Sequence, residues 1–446
     1  WLRVHAGASP AAHLRLLAHH AEMAGDRSRA AEYSWKAARN ALRNHQPGEA
    51  QSLLLQADGL ANESDRPTRM EIALDLGDAR LALSDVDGAL VSYQSALHIA
   101  WQLRQRSKGA EALVRIGRAE TSAARYDTAY RHFESALRLY EERNEPSGVA
   151  TVCLMLGKML WVKGSPGEAL QSYRKAERLY EQLRDKRGQA DVSDAFASLH
   201  YDRGDLRSAE TYYRKAIQLW NTIDDPRGVA TGLCNLGVAW LERGSTRKAI
   251  KAWEEALELA TLTGNLGLQS ALAANLGEGF IVAERYDDAS EILNKAADVA
   301  GRSGNPSLVA EVALNQATLA FKQGQWEDSV ASIEEARRVA STISVPRLMG
   351  RLERVTGDLF FERYRKTESH PPRHAKNAIK HYRHAINLYV DAGSNLESTK
   401  THELLADVLE VLGRSNDAAR ERDVAREIRD AYASLSDDPV LDGSPD

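Results

Sequence analysis

The chain has 446 residues, 43% of them hydrophobic and 27% charged, and its 58 basic against 63 acidic side chains leave a formal net charge of −5. So even a balance gives no general attraction for nucleic acid or an anionic membrane surface, and two cysteines cannot build a disulfide framework or a cysteine zinc site. No apolar run approaches the roughly 18 residues of a spanning helix, and no basic segment followed by an apolar one opens the chain, so a soluble cytoplasmic protein is expected. The first residue is Trp1, which points to a piece of a longer polypeptide.

Residues 1–65 read as short, tight helical repeats or a cap. Ala18, Gly25, Ala30 and Ala37 share a spacing that recurs downstream, and Gln46-Pro47-Gly48-Glu49-Ala50 opens another helix. From residue 66 to 363 the sequence repeats itself every 40 residues. Small residues stand at Gly77, Gly117, Gly157, Ala197, Gly237, Gly277, Ala317 and Gly357. Twelve positions beyond the first seven comes a second small residue (Ala89, Ala129, Ala169, Ala209, Ala249, Ala289, Ser329), and a third closes each block (Ala96 through Ala336). Between the last two sits a large apolar residue: Tyr93, Phe133, Tyr173, Tyr213, Trp253, Leu293 or Ile333.

Within a block the apolar residues step by three and four, as in Leu233, Leu236, Trp240 and then Ala249, Trp253, Ala256, so each unit is two amphipathic helices. Gly164, Gly204, Gly244 and Gly324 mark the turn between them. Pro146, Pro226, Pro306 and Pro346 mark helix starts, with Asp225 and Asn305 as N-caps. Two short turns taken from each block leave helices of about 17 residues, roughly 25 Å long. The small residues let paired helices approach closely, and Gly157→Leu is expected to overpack that contact by about 1 to 3 kcal/mol.

After Gly357 the expected alanine arrives nine residues late, at Ala378. Residues 364–377 therefore read as an insertion loop carrying Pro371-Pro372, residues 378–433 as a last repeat and capping helix, and the acidic stretch 434–446 as a disordered tail.

The Leu-Gly pairs (Leu76-Gly77, Leu156-Gly157, Leu236-Gly237, Leu276-Gly277), the turn glycine, the alanines and the aromatic resemble the tetratricopeptide repeat. The block length departs from the usual 34 residues. Asp225-Pro226-Arg227-Gly228-Val229-Ala230 leading to Asn235-Leu236-Gly237 is similar to the long-helix subclass of polarity adaptors, kinesin light chains and bacterial peptide-sensing regulators. The passage from His19-His20-Ala21 to Ala37-Ala38 resembles the start of the sensor region of bacterial STAND-type signalling ATPases. These resemblances imply an all-α, right-handed superhelix of about ten helix-turn-helix repeats. They further imply a protein or peptide ligand, and an upstream nucleotide-binding or kinase domain elsewhere in the same polypeptide; the alternative is a self-associating scaffold or an intramolecular regulator of an attached ATPase, kinase or cyclase.

The first helix of each unit lines the inner surface of such a superhelix. Steps of 100° from the small residue put its open face at minus six, minus two, plus one and plus five. At minus two stand Asn235, Asn275 and Asn315, whose amides carry both donor and acceptor for an extended peptide backbone. The resemblance implies that role; the alternative is that asparagine is merely tolerated on a solvated face. Neighbouring positions set the charge: Arg115, Arg118 and Lys158 are basic, Glu71, Asp75 and Asp78 acidic, and Glu242, Glu278, Glu311, Lys322, Arg351, Asp358 and Glu362 mixed. A mixed-charge segment fits better than a simple acidic tail.

No phosphate loop, dinucleotide fingerprint or nucleophile elbow occurs, and His402-Glu403 does not complete a zinc-protease motif. The piece is therefore read as non-catalytic, with no cofactor or metal. Cys153 and Cys234 read as buried small hydrophobes. His370, His374, His381 and His384 read as surface residues without a carboxylate partner.

Overall fold

The start signals act as their chemistry requires. Helices begin at Pro146, Pro226, Pro306 and Pro346, where a missing amide hydrogen costs nothing. Asp225 and Asn305 accept the backbone N–H of Gly228 at 3.2 Å and of Ser307 at 2.9 Å. Gly164, Gly204, Gly244 and Gly324 end first helices at positive φ, from 73° to 85°. Where the same turn lacks glycine, a bulkier residue takes the left-handed conformation, as Ala124 and Glu284 do at φ of 57° and 58°.

The computed structural model describes residues 10–44, 46–343, 345–367 and 370–433. Among these, helix α1 (Pro10–Met23) precedes ten antiparallel pairs and no strand occurs. The first helices are α2 (Arg27–Arg43), α4 (Arg66–Ala82), α6 (Arg106–Ser122), α8 (Pro146–Val162), α10 (Lys186–Asp202), α12 (Pro226–Glu242), α14 (Leu266–Val282), α16 (Pro306–Lys322), α18 (Pro346–Lys366) and α20 (Asn395–Val411). Their partners are α3 (Pro47–Leu60), α5 (Val86–Gln102), α7 (Tyr126–Glu142), α9 (Pro166–Gln182), α11 (Leu206–Thr222), α13 (Thr246–Leu262), α15 (Tyr286–Ser303), α17 (Trp326–Ala340), α19 (Pro372–Asp391) and α21 (Ser415–Ala433). From α4 to α16 nearly all are 17 residues long, the length the 40-residue period implies.

The small residue and the aromatic form one contact, repeated. A Cβ placed on Gly77, Gly117, Gly157, Gly237 or Gly277 would come closer than 3.0 Å to Tyr93, Phe133, Tyr173, Trp253 or Leu293 respectively. The alanines of the second helices are fully buried against them, from Ala89 to Ala336. Ser329 holds one alanine position by donating its hydroxyl to the carbonyl of Ala317 at 2.8 Å.

From α2 to α18 each first helix also touches the first helix of the next unit, whereas second helices make no comparable contact with each other. The more closely spaced row is the inner side of a curved array, so first helices form the concave wall of a helical solenoid. The coil is tight enough for distant repeats to meet. The backbone N–H of Leu266 donates to the carbonyl of Asn44 at 3.4 Å, and the Arg227 guanidinium donates to the Asn44 side chain at 3.2 Å. Further along, Gly393 lies directly on the carbonyl of Val162, and Lys400 pairs with Glu242 at 2.5 Å.

The insertion is not the loop expected over 364–377. Helix α18 continues to Lys366 and α19 starts at Pro372, giving helices of 21 and 20 residues. The extra residues prolong both helices beyond the turn and leave the packing contact in place. The Tyr382 hydroxyl still reaches Asp358 at 2.7 Å, as Tyr93 reaches Asp78 at 2.7 Å. The tail 434–446 lies outside the described residues.

Candidate concave binding surface

The asparagine row does not face solvent in the way its phase suggests. The Asn235 amide donates to Asp194 at 3.0 Å, Asn275 to the sulfur of Cys234 at 3.4 Å and Asn315 to the carbonyl of Ala274 at 2.8 Å. Each reaches 41 residues back, onto the preceding first helix. Neighbouring first helices approach closely enough on the concave side for a short amide to bridge them, so the row staples the wall together. Asn315, expected to be exposed, is only 4% exposed and also accepts from Arg351 at 2.7 Å. Tryptophans make the same bridge elsewhere: Trp35 donates to Asp75 and Trp161 to Asp202, both at 2.7 Å.

Asn315→Ala removes two hydrogen bonds at a buried position and takes an acceptor from the Arg351 guanidinium, so a loss of about 1 to 3 kcal/mol is expected. A thermal melt of the single variant tests this; an unchanged midpoint would return Asn315 to the surface.

Most of the charges named from sequence are also paired. Arg115 binds Asp78 at 3.1 Å and Glu111 at 2.7 Å. Glu278 pairs with Arg351 at 3.3 Å, and Glu242 with Lys400. Asp78 and Asp358 accept tyrosine hydroxyls. Arg118, Lys158 and Lys322 remain exposed on the wall. Arg118 and Lys158 occupy the same phase of consecutive first helices, α6 and α8.

Between those helices runs an open groove of about 720 Å³ whose lining includes Glu111, Arg115, Arg118, Tyr140, Thr151 and Met155. Its floor is apolar and its rim charged. Toward α10 the wall becomes acidic and dehydrated. Burial pushes the Asp191 carboxyl up to about 6, against the opposing pull of Lys158, and raises Asp194 as well. Burial raises the Cys153 thiol and pushes Cys234 up to about 12, so both cysteines are the inert hydrophobes expected.

The histidines correct another expectation. Glu353 of α18, only 3% exposed, lies within 2.6 Å of His381 and 3.5 Å of His384 and accepts from Arg337 of α17 at 2.7 Å. The carboxylate missing from their own helix is supplied by the neighbouring one, which no spacing along α19 could reveal. His374 is buried, with its ring stacked 6.1 Å from Phe360. No cluster of three metal-ligating side chains suited to an ion occurs among the described residues, and none of their helices is long and apolar enough to cross a membrane.

Comparison with known proteins follows this architecture. Residues 189–261, spanning α10 to α13, match the family model described as tetratricopeptide repeat. No curated protein matches the chain. Among solved structures, a Rap protein complexed with competence and sporulation factor aligns over 82% of this chain and 99% of its own, at a TM-score of 0.57 and 12% identity. Aspartyl phosphate phosphatase F from Bacillus subtilis aligns over 83% and 95%, at a TM-score of 0.52 and 11% identity. A signal transduction ATPase with numerous domains and a tetratricopeptide repeat sensor, from Pyrococcus horikoshii, aligns over 78% of this chain and 55% of its own, at 0.52 and 16%. At such identities the likeness is one of fold. Residues 189–261 are thus tetratricopeptide repeats, and the same helix pair, packed through the same small-to-aromatic contact, builds the rest of the described chain as a solenoid of that kind.

Proposed function

We propose that this chain is a non-catalytic arm that binds an extended protein or peptide segment along its concave wall, within a larger signalling protein. The observation that carries the reading is the open groove between α6 and α8, where an apolar floor at Val114 and Met155 meets the exposed cation Arg118. An extended segment offers alternating side chains for the floor and backbone or carboxylate acceptors for the rim. The asparagine donors are already occupied, so recognition moves from Asn235, Asn275 and Asn315 to this stretch. The Rap structure is of a protein complexed with a factor, and the ATPase carries its repeats as a sensor. Both support a ligand-receiving role, with the reporting ATPase or kinase domain placed elsewhere in the polypeptide.

The test is capture from native lysate by the wild-type chain and by an Arg118→Glu variant. Partners are expected to be lost from the variant, with affinity falling at least tenfold, about 1.4 kcal/mol, while helicity and melting stay unchanged because Arg118 is exposed. Identical captures would remove the groove from the reading.

A further inference from the structure

Two classes of contact hold this coil, and they differ in kind. Within and between adjacent repeats the contacts are apolar and fully buried, as at Tyr93, Phe133 and Trp253. Where distant repeats meet, around α10 and α12 on one side and α18 and α20 on the other, charged groups face one another beside the close backbone approach of Gly393 to Val162. Lys400 of α20 pairs with Glu242 at the end of α12 at 2.5 Å. Arg347, at the start of α18, is held by Glu397 of α20 on its own side at 2.6 Å, and its charge reaches across to Asp202 at the end of α10. Beside these groups lies a cavity of about 260 Å³ lined in part by Asp202, Glu242, Thr399, Lys400, Glu403 and Arg429. Asp202 is dehydrated there, its carboxyl pushed up to about 6 by burial, with Arg347 and the Trp161 hydrogen bond pulling against it.

The energetics of the two classes separate accordingly. Solenoid stability is the sum of repeats and their nearest-neighbour interfaces, so contacts between repeats far apart in the chain are not needed to keep any helix folded. Partly exposed ion pairs contribute about 0 to 1 kcal/mol each and weaken with salt. A joint made of them opens at little cost. We infer that the seam between α10–α12 and α18–α20 is a releasable clasp: closed, it folds the C-terminal repeats across the coil and restricts the concave wall; open, it lets the coil extend as a spring with every repeat intact. The inference rests on the fold and not on which segment the groove receives.

The experiment measures one distance in the full chain. Spin labels at Arg247→Cys and Asp391→Cys, both exposed positions, flank the seam, while the native cysteines Cys153 and Cys234 are buried. At low salt a single short distance is expected. Arg347→Glu/Lys400→Glu is expected to lengthen it by at least about one helix diameter, ~10 Å, with helicity unchanged. Reversing the second pair, Glu242→Lys/Lys400→Glu, is expected to restore the short distance, which a merely structural role for Lys400 would not allow. Raising salt on the labelled, otherwise unaltered chain, so that the screening length falls from about 10 Å to about 3 Å, is expected to lengthen the distance without any charge substitution. This arm decides the question if the charge reversals reduce helicity. A distance unmoved by salt would overturn the clasp, as would one unmoved by the reversals in a fully helical chain.

Discussion

Trp253→Ala is expected to lower stability by about 3 to 5 kcal/mol, the range for removing a large buried aromatic. Trp253 is 1% exposed, and its indole N–H donates to the carbonyl of Cys234 at 2.9 Å. Its ring lies where a Cβ on Gly237 would stand. The substitution therefore opens a cavity between α12 and α13 and removes the indole hydrogen bond to the Cys234 carbonyl. The complementary change gives a sharper test. In an ordinary helix interior Gly→Ala gains up to about 1 kcal/mol, but at Gly237 the added methyl would strike a ring fixed by its hydrogen bond. Overpacking of about 1 to 3 kcal/mol outweighs the gain, so Gly237→Ala is expected to lower the melting temperature. A rise would mean that α12 and α13 can move apart freely, against the contact repeated from Gly77 to Gly277.

The second large effect is expected at Glu353. Burial raises its carboxyl, but the hydrogen bonds from His381 and Arg337 outweigh that and hold it down to about 2, from an ordinary value of 4.5. The folded state thus favours the ionised form. Its contribution is present above pH 4.5 and is lost as pH falls toward 2. The difference corresponds to about 3 kcal/mol at neutral pH. Glu353→Ala leaves Arg337 and the histidines around a vacated buried site, and a loss of about 3 to 5 kcal/mol is expected. Glu353→Gln keeps the shape and removes the charge, so its melting temperature is expected to lose the wild type's acid dependence between pH 4.5 and 2. If both proteins lose stability in parallel over that window, the dependence belongs to other carboxylates.

The two sites differ in how far the sequence announces them. Gly237 and Trp253 recur at fixed phase through seven blocks, and a repeated contact writes itself into the sequence as a period. Glu353 and His381 meet once, across α18 and α19, after an insertion has shifted the register. Nothing along either helix marks the other. The asparagine row shows a third case. Its period is visible in the sequence, yet the direction of each amide depends on the distance to the preceding first helix. That distance follows from the curvature of the whole array.

The sequence by itself determined the all-helical class, the two-helix unit, helix lengths near 17 residues, the capping residues Asp225 and Asn305, the left-handed turn glycines and the buried alanine and aromatic ladder. All of these rest on interactions within one repeat or with its immediate neighbour, which a local pattern can encode. Only the tertiary structure decided which charges stay free, that Asn315 is buried, that one helix runs on to Lys366 and the next starts already at Pro372, and that Lys400 closes onto Glu242. These depend on the superhelical curvature, which accumulates from small rotations at each repeat interface and brings together residues whose separation in sequence carries no period.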